Sequence, residues 1–274
     1  MSDIAVPVPA ATIILLREAR VSPEVLMIQR SVKSEFLPDL YVFPGGRVDQ
    51  SDYDLADRTG GFDAARAATM ATTVDPELAL GFFVAAIRET YEEAGILLAR
   101  RRGEPHLIDE TTAKSLGEHR LAVQKGSMSF RDILEREDLE LAPDRLAVHA
   151  HWITPEMMPH RYDTLFFAAG TPPGQLAGHD GFESISHVWI RPEEALEQAT
   201  AGERQMVFPT KCNLETLSGH ADVDAAVTAS SARPVVPIHP RVESRDGEPM
   251  IVIPEEAAYP TSAEPLPKRP PAGS

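Results

Sequence analysis

The sequence is short of basic residues, and this shortage excludes two classes of partner. Lysine and arginine together number 26, against 42 aspartates and glutamates, which gives a formal net charge of −16. A chain this acidic repels nucleic acid and anionic membranes, so we expect neither as a partner. An anionic substrate then requires a local remedy, such as a divalent cation held by carboxylates.

Cysteine and long apolar runs are also scarce. Cys212 is the one cysteine, so the chain forms no internal disulfide, which fits a reducing compartment. The apolar runs ATIILL and ALGFFVAAI fall far short of the roughly 20 residues that cross a bilayer. The first residues lack the basic segment of a secretion signal. We expect a cytoplasmic protein without a membrane span.

Apolar patterns and turn residues predict an α/β protein. The strand-like segments are 11–18, 24–30, 40–46, 144–155, 161–170 and 186–192. A helix start is signalled by Asp75, Pro76 and Glu77, and nothing stops that helix before Gly95. Further helical segments are expected at 109–125, 129–137, 193–202 and 210–230.

Three glutamates on the predicted helix form the strongest chemical signal. Glu89, Glu92 and Glu93 stand at spacings of three and four residues and so share one helix face. Like charges one turn apart repel, and a bound cation would remove that cost. Oxygen ligands suit Mg²⁺ or Mn²⁺. The alternative for a glutamate triple alone is an ordinary acidic helix facing solvent.

The string from Arg88 to Ile96, read together with Gly45 and Gly46 at a strand end, resembles the Nudix hydrolases. Their signature is G-x5-E-x7-R-E-U-x-E-E-x-G-U, and its second half matches here except at Thr90, where an aliphatic residue is usual. The first half begins at Gly46 and places Asp52 at the first glutamate. Residues 53–87 then occupy 35 positions where the pattern has seven, so about 28 residues are inserted.

This insertion, with the phrases QRS, HWITP and RYDTLFF, resembles the subgroup that includes the peroxisomal coenzyme A diphosphatases. The resemblance implies a Nudix-type α/β/α sandwich with a mixed central sheet, enlarged by helical insertions. We place the domain at 8–220 with an insertion at 53–83, followed by a packed extension at 221–253. Six prolines in 254–274 predict a mobile tail that builds no core. By its position, the insertion suggests the hypothesis that it shapes or caps the substrate pocket.

The resemblance also implies roles for individual residues. Glu92 and Glu93 are expected as principal metal ligands, Glu89 as a ligand or base, and the Gly45 carbonyl as a further ligand. Arg88 is expected to orient the glutamates by a bidentate ion pair. Asp49 and Asp52 are read as turn-forming or supporting residues.

Other candidate site residues lie outside the signature motif. Glu183 fits the family's additional acid from a later loop, with Asp180 as its alternative. Contacts with the substrate are assigned to Arg30, Arg47, Gly46 and Arg161. The arginines 100–102 either reach a remote phosphate or complement a helix dipole. His149 and His151 alternate on a strand and are expected to pack in the core rather than to bind a metal.

The implied reaction is metal-dependent hydrolysis of a nucleoside diphosphate linked to another moiety, with coenzyme A or acyl-coenzyme A as the first expectation. ADP-ribose, nucleotide sugars and dinucleoside polyphosphates remain alternatives, because a fold and motif do not fix a substrate. A Nudix-like nucleotide-binding module without catalysis is the alternative of another class. A homodimer remains open.

Overall fold

The computed structural model describes residues 4–31, 39–178 and 184–266. Its strands are β1 (Val8–Arg17), β2 (Glu24–Arg30), β3 (Tyr41–Val42), β4 (Gly45–Arg47), β5 (Ala99–Arg101), β6 (Leu139–Leu141), β7 (Ala147–Ile153), β8 (Tyr162–Gly170), β9 (Ser184–Ile190), β10 (Pro237–Ile238), β11 (Arg241–Arg245), β12 (Glu248–Val252) and β13 (Ala263–Pro265). Its α-helices are α1 (Gln50–Tyr53), α2 (Ala64–Met70), α3 (Ala79–Ala94), α4 (Glu110–Gly117), α5 (Arg120–Gln124), α6 (Phe130–Arg136), α7 (Pro192–Thr200), α8 (Phe208–Leu217) and α9 (Val223–Ala232).

The central sheet is mixed, as predicted. Its strand order is β10-β7-β8-β1-β2-β3, with β4 also paired to β1 and β9 to β2. The pairing of β1 with β8 is parallel, whereas β1 pairs antiparallel with β2 and β4. Alternate residues of β1 face two cores: Ala11, Ile13 and Leu15 pack with α3, while Ile14 and Leu16 pack with α8 and α9. Helices on both faces confirm the predicted α/β sandwich.

The predicted strand 40–46 is instead two short strands with different partners. Tyr41 and Val42 pair with β2, whereas Gly45 and Gly46 pair with β1. Pro44 lies between them and has no amide hydrogen to donate, so a continuous ladder cannot pass through it. This switch of partner places the two glycines beside β1, where α3 approaches the sheet.

The acidic helix is shorter than its sequence signals predicted. It begins at Ala79 rather than Pro76, and Asp75 forms a local turn in which its carboxylate accepts a hydrogen bond from the Glu77 amide at 2.9 Å. The predicted end is confirmed, because Gly95 adopts a left-handed conformation with φ of 70°. The helix is also buried on more sides than an amphipathic helix, since the inserted segment covers it.

The inserted segment 53–83 packs against the core through apolar contacts. The rings of Phe62 and Phe83 lie 5.0 Å apart, and Ala67 of α2 is fully buried. A Cβ at Gly81 would lie 2.3 Å from the Tyr53 ring, so α1 and α3 approach each other only because residue 81 is glycine. The insertion is therefore a part of the folded domain.

The C-terminal segment corrects one prediction. Composition predicted that the tail from Pro254 onward builds no core, yet β13 pairs with β12 and Tyr259 is buried against Trp152. One large aromatic residue and a short strand outweigh the unfavourable proline content, because prolines at strand ends need no ladder hydrogen bond. The prediction is wrong for 254–266, and residues 267–274 lie outside the described residues.

The two histidines of β7 hydrogen-bond to different neighbours. The His149 ring contacts the hydroxyls of Ser230 and Thr216 at 2.9 and 3.0 Å. His151 contacts Thr73 and Asp163. Their separate surroundings agree with packing roles.

Among the described residues, no helix is both long enough and apolar enough to cross a bilayer.

Burial of His149 predicts a pH dependence of stability. Burial, with the nearby positive Arg233 and His220, lowers the pKa of His149 from 6.5 to about 3. Between these values the unfolded chain binds a proton that the folded chain does not, so the free energy of unfolding falls as the pH decreases below 6.5. The contribution approaches about 1.4 kcal/mol per pH unit.

Urea unfolding of His149→Gln at several pH values checks this. We expect a shallower loss of stability on acidification than in the wild type, by about one bound proton. His160→Gln, which changes an exposed histidine, is the control. Equal slopes in the wild type and His149→Gln would contradict the assignment.

Candidate active site

The glycine strand and the acidic helix meet directly, although the inserted segment separates them in the sequence. The amide of Gly45 donates a hydrogen bond to a carboxylate oxygen of Glu93 at 2.8 Å. A Cβ at Gly46 would lie 2.5 Å from the carboxylate carbon of Glu89, so a larger residue there would displace the Glu89 carboxylate from its present position. The two walls predicted from the sequence therefore form one site.

Arg88 connects this site to Asp52. Its Nε and Nη2 atoms donate to the two carboxylate oxygens of Asp52 at 2.7 and 2.9 Å, which is a bidentate ion pair. The same guanidinium donates to Glu89 at 2.7 Å, to Glu92 at 3.2 Å and to the carbonyl of Arg47 at 2.9 Å. Arg88 thus holds two of the three glutamates and the glycine strand at once.

Asp52 combines two functions in the structure. Its side chain is fully buried against Arg88. Its second oxygen also accepts a hydrogen bond from the Asp49 amide at 2.8 Å, which completes the capping box that begins α1. The sequence interpretation as a turn-forming or supporting residue agrees with this geometry. An aspartate is one methylene shorter than the glutamate that the signature has at this position. Asp52 still reaches Arg88 because α1 places it close to α3.

Burial and neighbouring charges shift the pKa values of the ionisable groups in the site. Burial raises the pKa of Glu89 to about 7, with the Arg88 charge opposing this shift and the Glu92 charge adding to it. Burial also raises the pKa of Glu92, against the charge of Arg88. Burial alone would lower the pKa of Arg88, but its hydrogen bonds to Asp52 and the charges of the glutamates raise it instead. The site therefore holds four acidic side chains, those of Asp52 and the three glutamates, and one cationic side chain, that of Arg88.

The donor set fits a divalent cation in its chemistry. Three carboxylates of one cleft supply the hard oxygen donors that Mg²⁺ and Mn²⁺ prefer, and the excess of acid over base is the charge that a dication offsets. The carboxylates point to different partners, Glu93 to Gly45 and the other two to Arg88. Within 4–31, 39–178 and 184–266, no three acidic, histidine or cysteine side chains already surround a common point. Joint coordination of one ion by the three glutamates thus requires their side chains to reorient.

The site opens into a large cleft of about 1480 Å³. Arg30, Arg47 and Gly46, which the sequence analysis assigned to substrate contacts, line it. The Arg47 guanidinium lies 5.9 Å from the centre of the Tyr162 ring, and its hydrogen bond to Tyr162 raises the pKa of Arg47. The described residues 53–83 do not line the cleft, so the hypothesis that the insertion shapes or caps the pocket gains no support.

Other assignments differ from the structure. Arg161 is buried and donates to the carbonyls of Thr154 and Ala5, at 3.0 and 2.7 Å, so it fixes loops and does not line the cleft. A buried arginine must satisfy its donors locally, and Arg161 does so through these two carbonyls. Arg100 pairs with Asp144 at 2.6 Å, away from the cleft. Glu183 and Asp180 lie outside the described residues.

Sequence reasoning missed part of the cleft. Lys125, Arg204, Lys211 and Trp152 also line it. Each comes from a different element, and no local spacing connects them with the glutamates. The HWITP phrase contains Trp152 and was the available signal, but it did not show which way the indole points.

Comparison with known proteins supports the resemblance. The family model described as the NUDT19 Nudix domain matches residues 55–217. The acyl-coenzyme A diphosphatase NUDT19 of Gallus gallus is 32% identical over 241 residues, which cover 71% of this chain and 62% of that protein. The Xenopus laevis protein of the same name is 29% identical over 210 residues, covering 64% of this chain and 54% of its own length. The matches therefore span about three fifths of these relatives.

The fold has a solved counterpart. The crystal structure of a NUDIX hydrolase from Alicyclobacillus acidocaldarius superposes with a TM-score of 0.64 at 24% identity, and the match covers 84% of this chain and all of that one. This likeness confirms the Nudix-type fold. The family match begins at residue 55, inside the inserted segment, so the insertion is part of what the chain shares with that family.

Replacing Asp52 tests the ion pair that organises the site. Asp52→Asn leaves Arg88 buried without its bidentate partner, and we expect the free energy of unfolding to fall by about 3 kcal/mol. Denaturant unfolding measures this. Asp57→Asn is the matched control, because Asp57 pairs with Arg131 at 2.8 Å while 61% exposed. The control should lose less than about 1 kcal/mol. Equal losses in the two variants would contradict the analysis.

Proposed function

This chain belongs to the Nudix hydrolases, in the family of the NUDT19 Nudix domain, and on that premise we propose that it is a divalent-metal-dependent diphosphatase. The preferred substrate is coenzyme A or acyl-coenzyme A. The reaction is hydrolysis of the phosphoanhydride bond, in which water attacks one phosphorus and the other phosphate leaves.

The observation that carries the proposal is the single cleft shared by the glycine strand and the acidic helix. Gly45, Gly46, Glu89, Glu92 and Glu93 all line it. The insertion separates the two halves of the signature motif in the sequence. The intervening chain folds back, so the two halves meet in the structure. The acids needed for metal-assisted hydrolysis therefore face one space that is large enough for a nucleotide substrate.

The glutamates are assigned to the metal. Glu92 and Glu93 are the principal ligands, Glu89 is a ligand or base, and the Gly45 carbonyl is a further ligand. When bound, Mg²⁺ or Mn²⁺ supplies charge neutralisation of the diphosphate and a lower pKa of the attacking water. Arg88 acts as a positioning residue, because its donors are directed to Asp52 and the glutamates.

Cationic side chains in the cleft suit the phosphates of the substrate. Arg30 and Arg47 line the same space as the glutamates and can offset the negative charge of the chain locally. Glu183 is kept as the additional acid. The names of the vertebrate relatives favour acyl-coenzyme A over ADP-ribose, nucleotide sugars or dinucleoside polyphosphates. The intact glutamates disfavour a binding module without catalysis. A cytoplasmic location and a homodimer remain predictions.

A panel of diphosphates tests this function. The protein is incubated with Mg²⁺ or Mn²⁺ and each substrate, and the products are identified by mass spectrometry. We expect coenzyme A to give 3′,5′-ADP and 4′-phosphopantetheine. The combined variant Glu92→Gln, Glu93→Gln should lose at least about 100-fold in rate, because it removes two charged ligands of the metal. A clear preference for ADP-ribose would overturn the substrate, and no cleavage by the wild type would overturn the enzymatic function.

A further inference from the structure

The cleft continues across the sheet, away from the glutamates. Ala10 lies opposite Arg47 on β4 and opposite Thr164 on β8, and Thr164 lies opposite Trp152 on β7. Directly opposed residues of neighbouring strands point to the same face. The row from Arg47 to Trp152 crosses three strand intervals, which is about 14 Å. All four residues line the cleft, so it has a second end at Trp152.

This second end is apolar. The indole of Trp152 and the ring of Phe208, both almost fully buried, meet edge to face with centroids 6.1 Å apart. The small C-terminal sheet supplies the facing wall, through Val242 on β11 and Ile251 on β12, which lie opposite each other in the ladder. Val242 is 39% exposed, so its side chain is accessible to a ligand.

The polar groups of Trp152 and Tyr259 at this end are hydrogen-bonded. The Trp152 indole donates to the Tyr259 hydroxyl at 3.2 Å, and that hydroxyl donates to the Asn213 carbonyl oxygen at 2.7 Å. Trp152 therefore borders the cleft and directs its N–H into the core. Lys211 and Glu264, which also line this end, form an ion pair with each other. The surface that remains suits an apolar ligand.

We propose that this end binds the apolar arm of the substrate, a pantetheine that carries an acyl chain, and that Trp152, Val242 and Ile251 set the preference for acyl length. The inference rests on the proposed function for the identity of the head group. Continuity supports it, because the row of cleft residues from Arg47 to Trp152 leads from the side of the glutamates to the apolar wall. The C-terminal extension thereby becomes a specificity element of the enzyme.

The test compares acetyl-, hexanoyl- and dodecanoyl-coenzyme A, each below its micelle concentration. Val242→Asn and Ile251→Asn should lower kcat/KM for the dodecanoyl ester about tenfold relative to the acetyl ester, because an amide replaces apolar contact surface. Asparagine adds no charge, so phosphate binding is unaffected. Val21→Asn, at an exposed position outside the cleft, is the matched control and should leave the ratio unchanged. An unchanged ratio in both cleft variants would overturn the inference.

A binding measurement separates this inference from the proposed function. In Trp189→Phe, Trp152 is the only tryptophan, and its fluorescence reports on the apolar end. Without added divalent cation, dodecanoyl-coenzyme A should change that fluorescence more than acetyl-coenzyme A, and Val242→Asn should reduce the difference. If this response is seen but no ester is hydrolysed, the inference stands and the proposed function fails. If the esters are hydrolysed but do not differ in the fluorescence response, the proposed function stands and the inference fails.

Discussion

Arg88 is held beneath the cleft by Asp52, and the arrangement of the acidic helix follows from this buried ion pair. The two residues are 36 positions apart, and their bidentate contact closes the loop that carries the inserted segment. A buried guanidinium without a partner lowers the stability of the folded state, so separating Asp52 from α3 would cost free energy. Because Arg88 also contacts Glu89, Glu92 and the Arg47 carbonyl, the same pair fixes the glycine strand relative to the acids.

The inserted segment is compatible with the site because it packs elsewhere. Loop-closure entropy grows only with the logarithm of loop length, so about 28 extra residues add little to the cost of bringing the walls together. The aromatic contact of Phe62 with Phe83 and the close approach of Tyr53 to Gly81 then stabilise the insertion on α3. None of the described residues 53–83 lines the cleft, whose apolar end is lined by the C-terminal extension.

Local patterns in the sequence predicted the elements that define the chemistry. The bounds of β2, the left-handed glycine that ends α3 and the glutamate face all depend on residues close together in the chain. The errors about the C-terminal tail and Arg161 concern contacts between distant segments. Composition could not show that Tyr259 reaches Trp152, and proximity to a family-like phrase could not show that Arg161 satisfies two loop carbonyls. Likewise, Lys125, Arg204 and Lys211 reach the cleft from separate elements, which only the tertiary structure brings together.

The central claim is that two halves of a divided motif make one site for a divalent cation. A thermal unfolding series with increasing Mg²⁺ or Mn²⁺ tests it most directly, since a ligand that binds only the folded state raises Tm as its concentration exceeds Kd. The account predicts a rise in Tm that grows with the logarithm of ion concentration for the wild type and none for the variant Glu92→Gln, Glu93→Gln. A wild-type Tm that does not respond to either ion, or a rise that persists in the variant, would contradict it.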